Sequence, residues 1–78
     1  MTLASSAPAR EVIPVTKADA DLPDGQCRGL LVGTAGTANI KDGGGTTRAD
    51  VPLQQGYNPI RCIQVRTGGT ADDIWALY

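Results

Sequence analysis

The chain is 78 residues long, one domain near the lower size limit for a core that sustains itself. Seven basic and eight acidic residues leave a net charge of −1, scattered with no block of one sign, so neither nucleic acid nor an anionic membrane is an expected partner. The absence of histidine removes the commonest general base and metal ligand, and no apolar run approaches the ~18 to 20 residues of a transmembrane helix.

Ten glycines and five prolines, with no phenylalanine, favour short strands joined by turns over a helical bundle. The expected fold is all-β: a small antiparallel β-sandwich or barrel of about six short strands with an extended N-terminal arm. Residues 1–16 are read as arm and edge strand, and residues 17–78 as the β domain. Sixteen Leu, Ile and Val residues make a thin core, and small domains of this kind commonly complete themselves with disulfides, metal or partner subunits. The first two are poorly supplied here, so oligomerisation is the leading physical expectation.

Met1 to Arg10 is small, polar and interrupted by Pro8, without either period. Glu11 to Thr16 is β-like, but Pro14 cannot donate to a ladder, which confines this run to an edge or to a contact with another chain. Leu3, Pro8, Val12, Ile13, Pro14 and Val15 are accordingly the candidate interface residues, toward a neighbouring subunit or a larger shell. Lys17 to Gln26 is acidic, with a turn signal at Pro23-Asp24-Gly25. Its alternating acids do not make a calcium loop: counted from Asp19, position six is Asp24 and position twelve is Leu30. A solvated loop is expected there.

Cys27 to Gly33 is the first clear core strand, with Leu30 and Val32 on one face and Leu31 on the other. Thr34-Ala35-Gly36 turns into Thr37 to Ile40, and Lys41-Asp42-Gly43-Gly44-Gly45 is the strongest hairpin tip. Thr46 to Val51 returns from it. That glycine-rich tip lacks both the lysine–serine pair and the following helix of a phosphate-binding loop, so a turn is the expectation. Gln54-Gln55-Gly56 leads into Pro59 to Thr67, where polarity switches around Cys62 and predicts a bulge or a strand covered on both sides. The Gly68 to Asp72 loop is read as joining this strand to Asp73 to Tyr78 in an antiparallel hairpin. The last run is apolar on both faces, and Ile63, Val65, Ile74, Trp75, Leu77 and Tyr78 join Leu30 and Val32 as candidate core or subunit-packing residues.

No catalytic constellation emerges, and an enzyme is not expected. Cys27 and Cys62 are too few and too far apart for a zinc site; they could pair, but two buried thiols are the expected state of a cytoplasmic product. No signal-peptide pattern opens the chain, which places synthesis in the cytoplasm as an expectation. Asp72 and Asp73, adjacent in sequence, would face opposite ways in a strand and are read as loop carboxylates. Tyr57 and Trp75 offer a stacking platform for a sugar, and Arg28, Arg48, Arg61 and Arg66 offer a basic face for an oligonucleotide-binding barrel, as two alternatives.

Gly29-Leu30-Leu31-Val32-Gly33-Thr34-Ala35-Gly36, then Val51-Pro52, Gly56, Ile60 and Val65-Arg66, then Thr67-Gly68-Gly69-Thr70-Ala71 and Ile74 to Tyr78, resemble the small head-spike base proteins of tailed phages and gene transfer agents. The likeness runs from Cys27 to the last residue, and TGGTADDIWALY is its most specific part. It implies a particle-borne β module, seated on capsid vertices as a ring of five, with a capsid protein on one side and a spike fibre protein on the other. It implies no cofactor, a place on the head surface of a virion or phage-like particle, and a role in anchoring a fibre for host attachment. The alternating β runs and the edge-confined Pro14 are compatible with such an assembly.

Overall fold

The computed structural model describes residues 8–78, and those residues form seven strands and no helix. The strands are β1 (Val12–Pro14), β2 (Gly29–Thr34), β3 (Gly36–Asp42), β4 (Thr47–Leu53), β5 (Gly56–Asn58), β6 (Cys62–Val65) and β7 (Asp72–Leu77). They make two antiparallel sheets, one of four strands in the order β1-β7-β2-β5 and one of three in the order β4-β3-β6. The all-β expectation is met as a two-sheet sandwich. The strand beyond the expected six is β5, three residues that carry no hydrophobic alternation of their own and are recruited by pairing with β2.

The inner faces follow from the two-residue period of each strand. Leu30 and Val32 of β2 and Ile74 and Ala76 of β7 meet Ala38 and Ile40 of β3, Leu53 of β4 and Val65 of β6, all buried. Ile63 is only half-buried. A register shift at the β3–β6 pair sets Lys41 opposite Gln64 but Asp42 opposite Cys62, so Ile63 is the extra residue of a bulge, as the polarity switch predicted.

The terminal hairpin does not form. β6 belongs to the three-stranded sheet and β7 to the four-stranded one, so residues 66–71 cross between sheets. The crossing is pinned to β3: the Thr70 and Ala71 amides both donate to the Thr37 carbonyl at 2.9 Å, and the Thr37 amide donates to Thr70 Oγ1. Gly69 sits at φ +78° with the Thr37 carbonyl 2.5 Å from where a Cβ would stand, which excludes any side chain. Glycines that permit a hairpin permit a crossover equally; the burial of both flanking strands in opposite layers decides for the latter. The Asp42 tip does form as expected, with Oδ1 accepting from the Gly44 and Thr46 amides.

The acidic segment after β1 is largely the solvent-exposed loop expected, with Leu22 buried, and it is bonded to the neighbouring sheet. The Ala18 amide donates to the Val65 carbonyl and the Leu22 amide to the Ile63 carbonyl, so this segment covers the free edge of β6. Asp19 accepts from the Thr67 amide and hydroxyl, and Lys17 Nζ donates to the Ala71 carbonyl at 2.6 Å. Of the N-terminal run, residues 1–7, Leu3 among them, lie outside the described residues. From Arg10 onward the backbone is bonded to β7, with the Arg10 and Glu11 amides donating to the Tyr78 carbonyl.

Candidate functional site

The outer face of the four-stranded sheet gathers apolar residues from all four strands. Directly opposed residues of antiparallel strands point to the same side. The registers pair Pro14 with Trp75, Trp75 with Leu31 and Leu31 with Tyr57, so these four form one transverse row across the sheet. A second row, Val12, Leu77 and Gly29, runs beside it. Tyr57 is 53% exposed, Val12 49% and Leu31 39%, the three large apolar residues most open to solvent among those described.

Each member is held in place by local chemistry. The Tyr57 ring lies over Gly29, where an added Cβ would stand 2.8 Å from the ring, so only glycine lets the tyrosine lie flat on the sheet. The indole Nε1 of Trp75 donates to Asp73 Oδ1 at 3.1 Å. Asp73 has φ +53° and packs over Gly33, whose Cβ would meet its carboxylate at 2.1 Å. Asp73 lies in β7, as its place at the start of the last apolar run predicted, and its carboxylate, read from the sequence as a solvated one, orients the indole. The turn before Tyr57 is clamped by the buried Asn58, whose Oδ1 accepts from the Gln54 amide while Nδ2 donates to the Gln54 and Gly56 carbonyls.

The strand edges are blunted. Glu11 exchanges backbone bonds with Tyr78 and the Val15 amide donates to the Ile74 carbonyl of β7, so by alternation the Val12 and Pro14 nitrogens face the open edge, and proline has no hydrogen to offer there. On β4 the same device recurs. Thr37 directs its amide and carbonyl to Thr70 and Ala71, away from its partner Pro52, so the Pro52 nitrogen faces outward as well. β4 also carries a register shift near Asp50, at φ +55°, with the Asp50 amide bonded to Asn39 Oδ1. β6 is covered by residues 18–22, and β5 is three residues long and followed by Pro59.

The other residues singled out from the sequence fall elsewhere. Ile13 and Val15 are half-buried and line a hollow of ≈ 110 Å³ with Leu22, Pro23, Ala76 and Tyr78. Tyr78 is half-buried there, its hydroxyl donating to the Gly25 carbonyl, and Pro8 is exposed. Two of the arginines lie apart, Arg48 paired with Asp42 at 3.3 Å and Arg66 with Asp19 at 3.8 Å, at opposite edges of the three-stranded sheet. Among the described residues no group of three or more Cys, Asp or Glu is placed to hold a metal ion, and no helix is long and apolar enough to cross a membrane.

Sequence reasoning found Trp75 and Tyr57 as aromatics but missed that Leu31 lies between them. The available signal was Leu31 itself, a large apolar residue placed opposite Leu30 and Val32, and its meaning depended on β5, which sequence alone did not reveal. Comparison with protein-family models, with curated proteins and with solved structures found no match.

Proposed function

We propose that this protein is a non-catalytic assembly module whose outer four-stranded face is its principal contact surface, and that it forms the base of a head spike on the vertices of a phage-like particle. The observation that carries the assembly reading is the apolar row Pro14–Trp75–Leu31–Tyr57 on a sandwich whose strand edges are blunted. An exposed contiguous apolar patch on a small domain marks a contact surface, and blunted edges direct that contact to the face. The spike-base assignment is supported by the resemblance of the Gly29 to Gly36 and Thr67 to Tyr78 stretches to that family. In this reading identical copies associate around a symmetry axis, with a capsid protein below and a fibre protein above.

The test is sedimentation of the purified chain at tens of micromolar, alone and with capsids or fibre. Concentration-dependent association or co-sedimentation is expected. A monomer that binds neither overturns the proposal.

A second reading is favoured by one observation: two aromatic rings, Tyr57 and Trp75, flank Leu31 on the same exposed face, the arrangement of a sugar-stacking platform. Trp75 fluorescence should then respond to host polysaccharide. An unchanged spectrum at saturating polysaccharide removes this reading and leaves the first intact.

A further inference from the structure

Cys27 and Cys62 meet inside the sandwich. Cys27 belongs to the lead-in to β2 in the four-stranded sheet, and Cys62 opens β6 in the three-stranded sheet. The two are partners in an isolated antiparallel bridge, with the Cys27 amide donating to the Cys62 carbonyl at 3.0 Å. Their sulfurs are 3.2 Å apart and the residues are 1% and 0% exposed. Both are free thiols.

We propose that Cys27 and Cys62 form a modification site for thiol–disulfide exchange, closing to an intramolecular disulfide that staples one sheet to the other. Directly opposed residues of an antiparallel bridge have Cα atoms roughly 4.5 to 5.5 Å apart, inside the range that disulfides span. Closing the sulfur gap to about 2.0 Å then needs side-chain rotation and no change of fold.

The two thiols share one hydrogen bond in which either sulfur can donate, and Cys27 can also donate to the Ile60 carbonyl at 3.9 Å. The bond with Cys62, reinforced by the Cys62 and Gly29 backbone amides, holds the Cys27 thiol down to about 7 against its burial; the same bond, with burial, pushes Cys62 up. In a locally opened form one of the two, Cys27 in the simplest order, attacks as its thiolate one sulfur of a small-molecule disulfide R–S–S–R, and RS⁻ leaves and takes up a proton. Cys62 then loses its proton and attacks the Cys27 sulfur of the mixed disulfide, expelling the second RS⁻. Two protein thiols are oxidised and one small disulfide is reduced to two thiols.

The cysteines are 35 positions apart in sequence and the stretch between them contains β2 to β5 whole, so the cross-link constrains more than a third of the chain. A rise in Tm of roughly 15 °C or more is expected from a loop of that size.

The experiment incubates the protein with glutathione disulfide, natively and during refolding, and follows intact mass, free thiols by alkylation, and thermal unfolding. The proposal expects a loss of two hydrogens in a monomeric species, no alkylatable thiol, and a raised Tm that a reductant reverses. Cys62→Ala should instead stop at a glutathione adduct on Cys27, with no rise in Tm. Two alkylatable thiols after refolding in excess disulfide, a stable adduct on the wild type, a disulfide between chains, or an internal disulfide that lowers Tm would each overturn it.

Discussion

The two outer faces of the sandwich are built on opposite principles. On the three-stranded sheet the polar groups satisfy one another: Gln64 is 8% exposed because Asp21 accepts from its Nε2 at 2.8 Å and Arg66 donates to its Oε1 at 2.6 Å, and Asn39 binds the Asp50 amide and the Thr67 carbonyl. On the four-stranded sheet the face presents Val12, Leu31, Tyr57 and Trp75, and the indole of Trp75 donates to Asp73. A face that completes its hydrogen bonds internally stabilises the monomer. The apolar face left open is, in the assembly proposed above, the one a second surface would cover.

Adjacent residues on β2 give the sharpest way to break that contrast. Leu30, fully buried, should cost on the order of 3 kcal/mol of folding stability as Leu30→Ala, measured by denaturant unfolding, and should affect association only through loss of fold. Leu31→Asp should do the reverse. Placing a carboxylate between Tyr57 and Trp75 is expected to weaken association by about 100-fold, roughly 2.7 kcal/mol, while the unfolding midpoint of the monomer stays nearly unchanged. Equal association of Leu31→Asp and wild type would end the assignment of this face.

A change on the other face should show the complementary pattern with a smaller amplitude. Gln64→Leu removes the partner of Asp21 and Arg66 and is expected to lower stability by about 1 kcal/mol, with association preserved. The smallest effect is a pH dependence. The Thr67 amide and hydroxyl, with a lesser contribution from Arg66, hold the Asp19 carboxyl below its usual 3.8. Its stabilisation is thus fully present above about 3.8 and lost as pH falls through the lower folded-state value. Asp19→Asn should flatten the fall of Tm in that acid range and lower Tm slightly near neutrality, where the wild type keeps this stabilisation.

The sequence disclosed strands more readily than their partners. Leu30 and Val32 carried the two-residue period of a half-buried sheet, Asp42 with its glycines marked a true hairpin tip, and the polarity switch near Cys62 located the Ile63 bulge. What stayed hidden was the layer each strand occupies. Residues 66–71 have the composition of a hairpin loop, and only the carbonyl of Thr37, distant in sequence, makes them a crossover. The Asp73 carboxylate was misread for the same reason: its role depends on Gly33 of the neighbouring strand and on the indole two residues later. The apolar face required β5, whose three residues become a strand only by lying along β2.

Pro14 and Pro52 decide the geometry of any association. A sheet with free amides along its border recruits strand after strand and grows without limit, as fibres do. Here two imino nitrogens interrupt those borders, and in the assembly proposed above copies would meet flat, like tiles, and stop once their faces are covered. The number of copies in a finished assembly is then set by the angle between tiles, and a change that restored a border amide, Pro14→Val for example, would trade a counted object for an open-ended one.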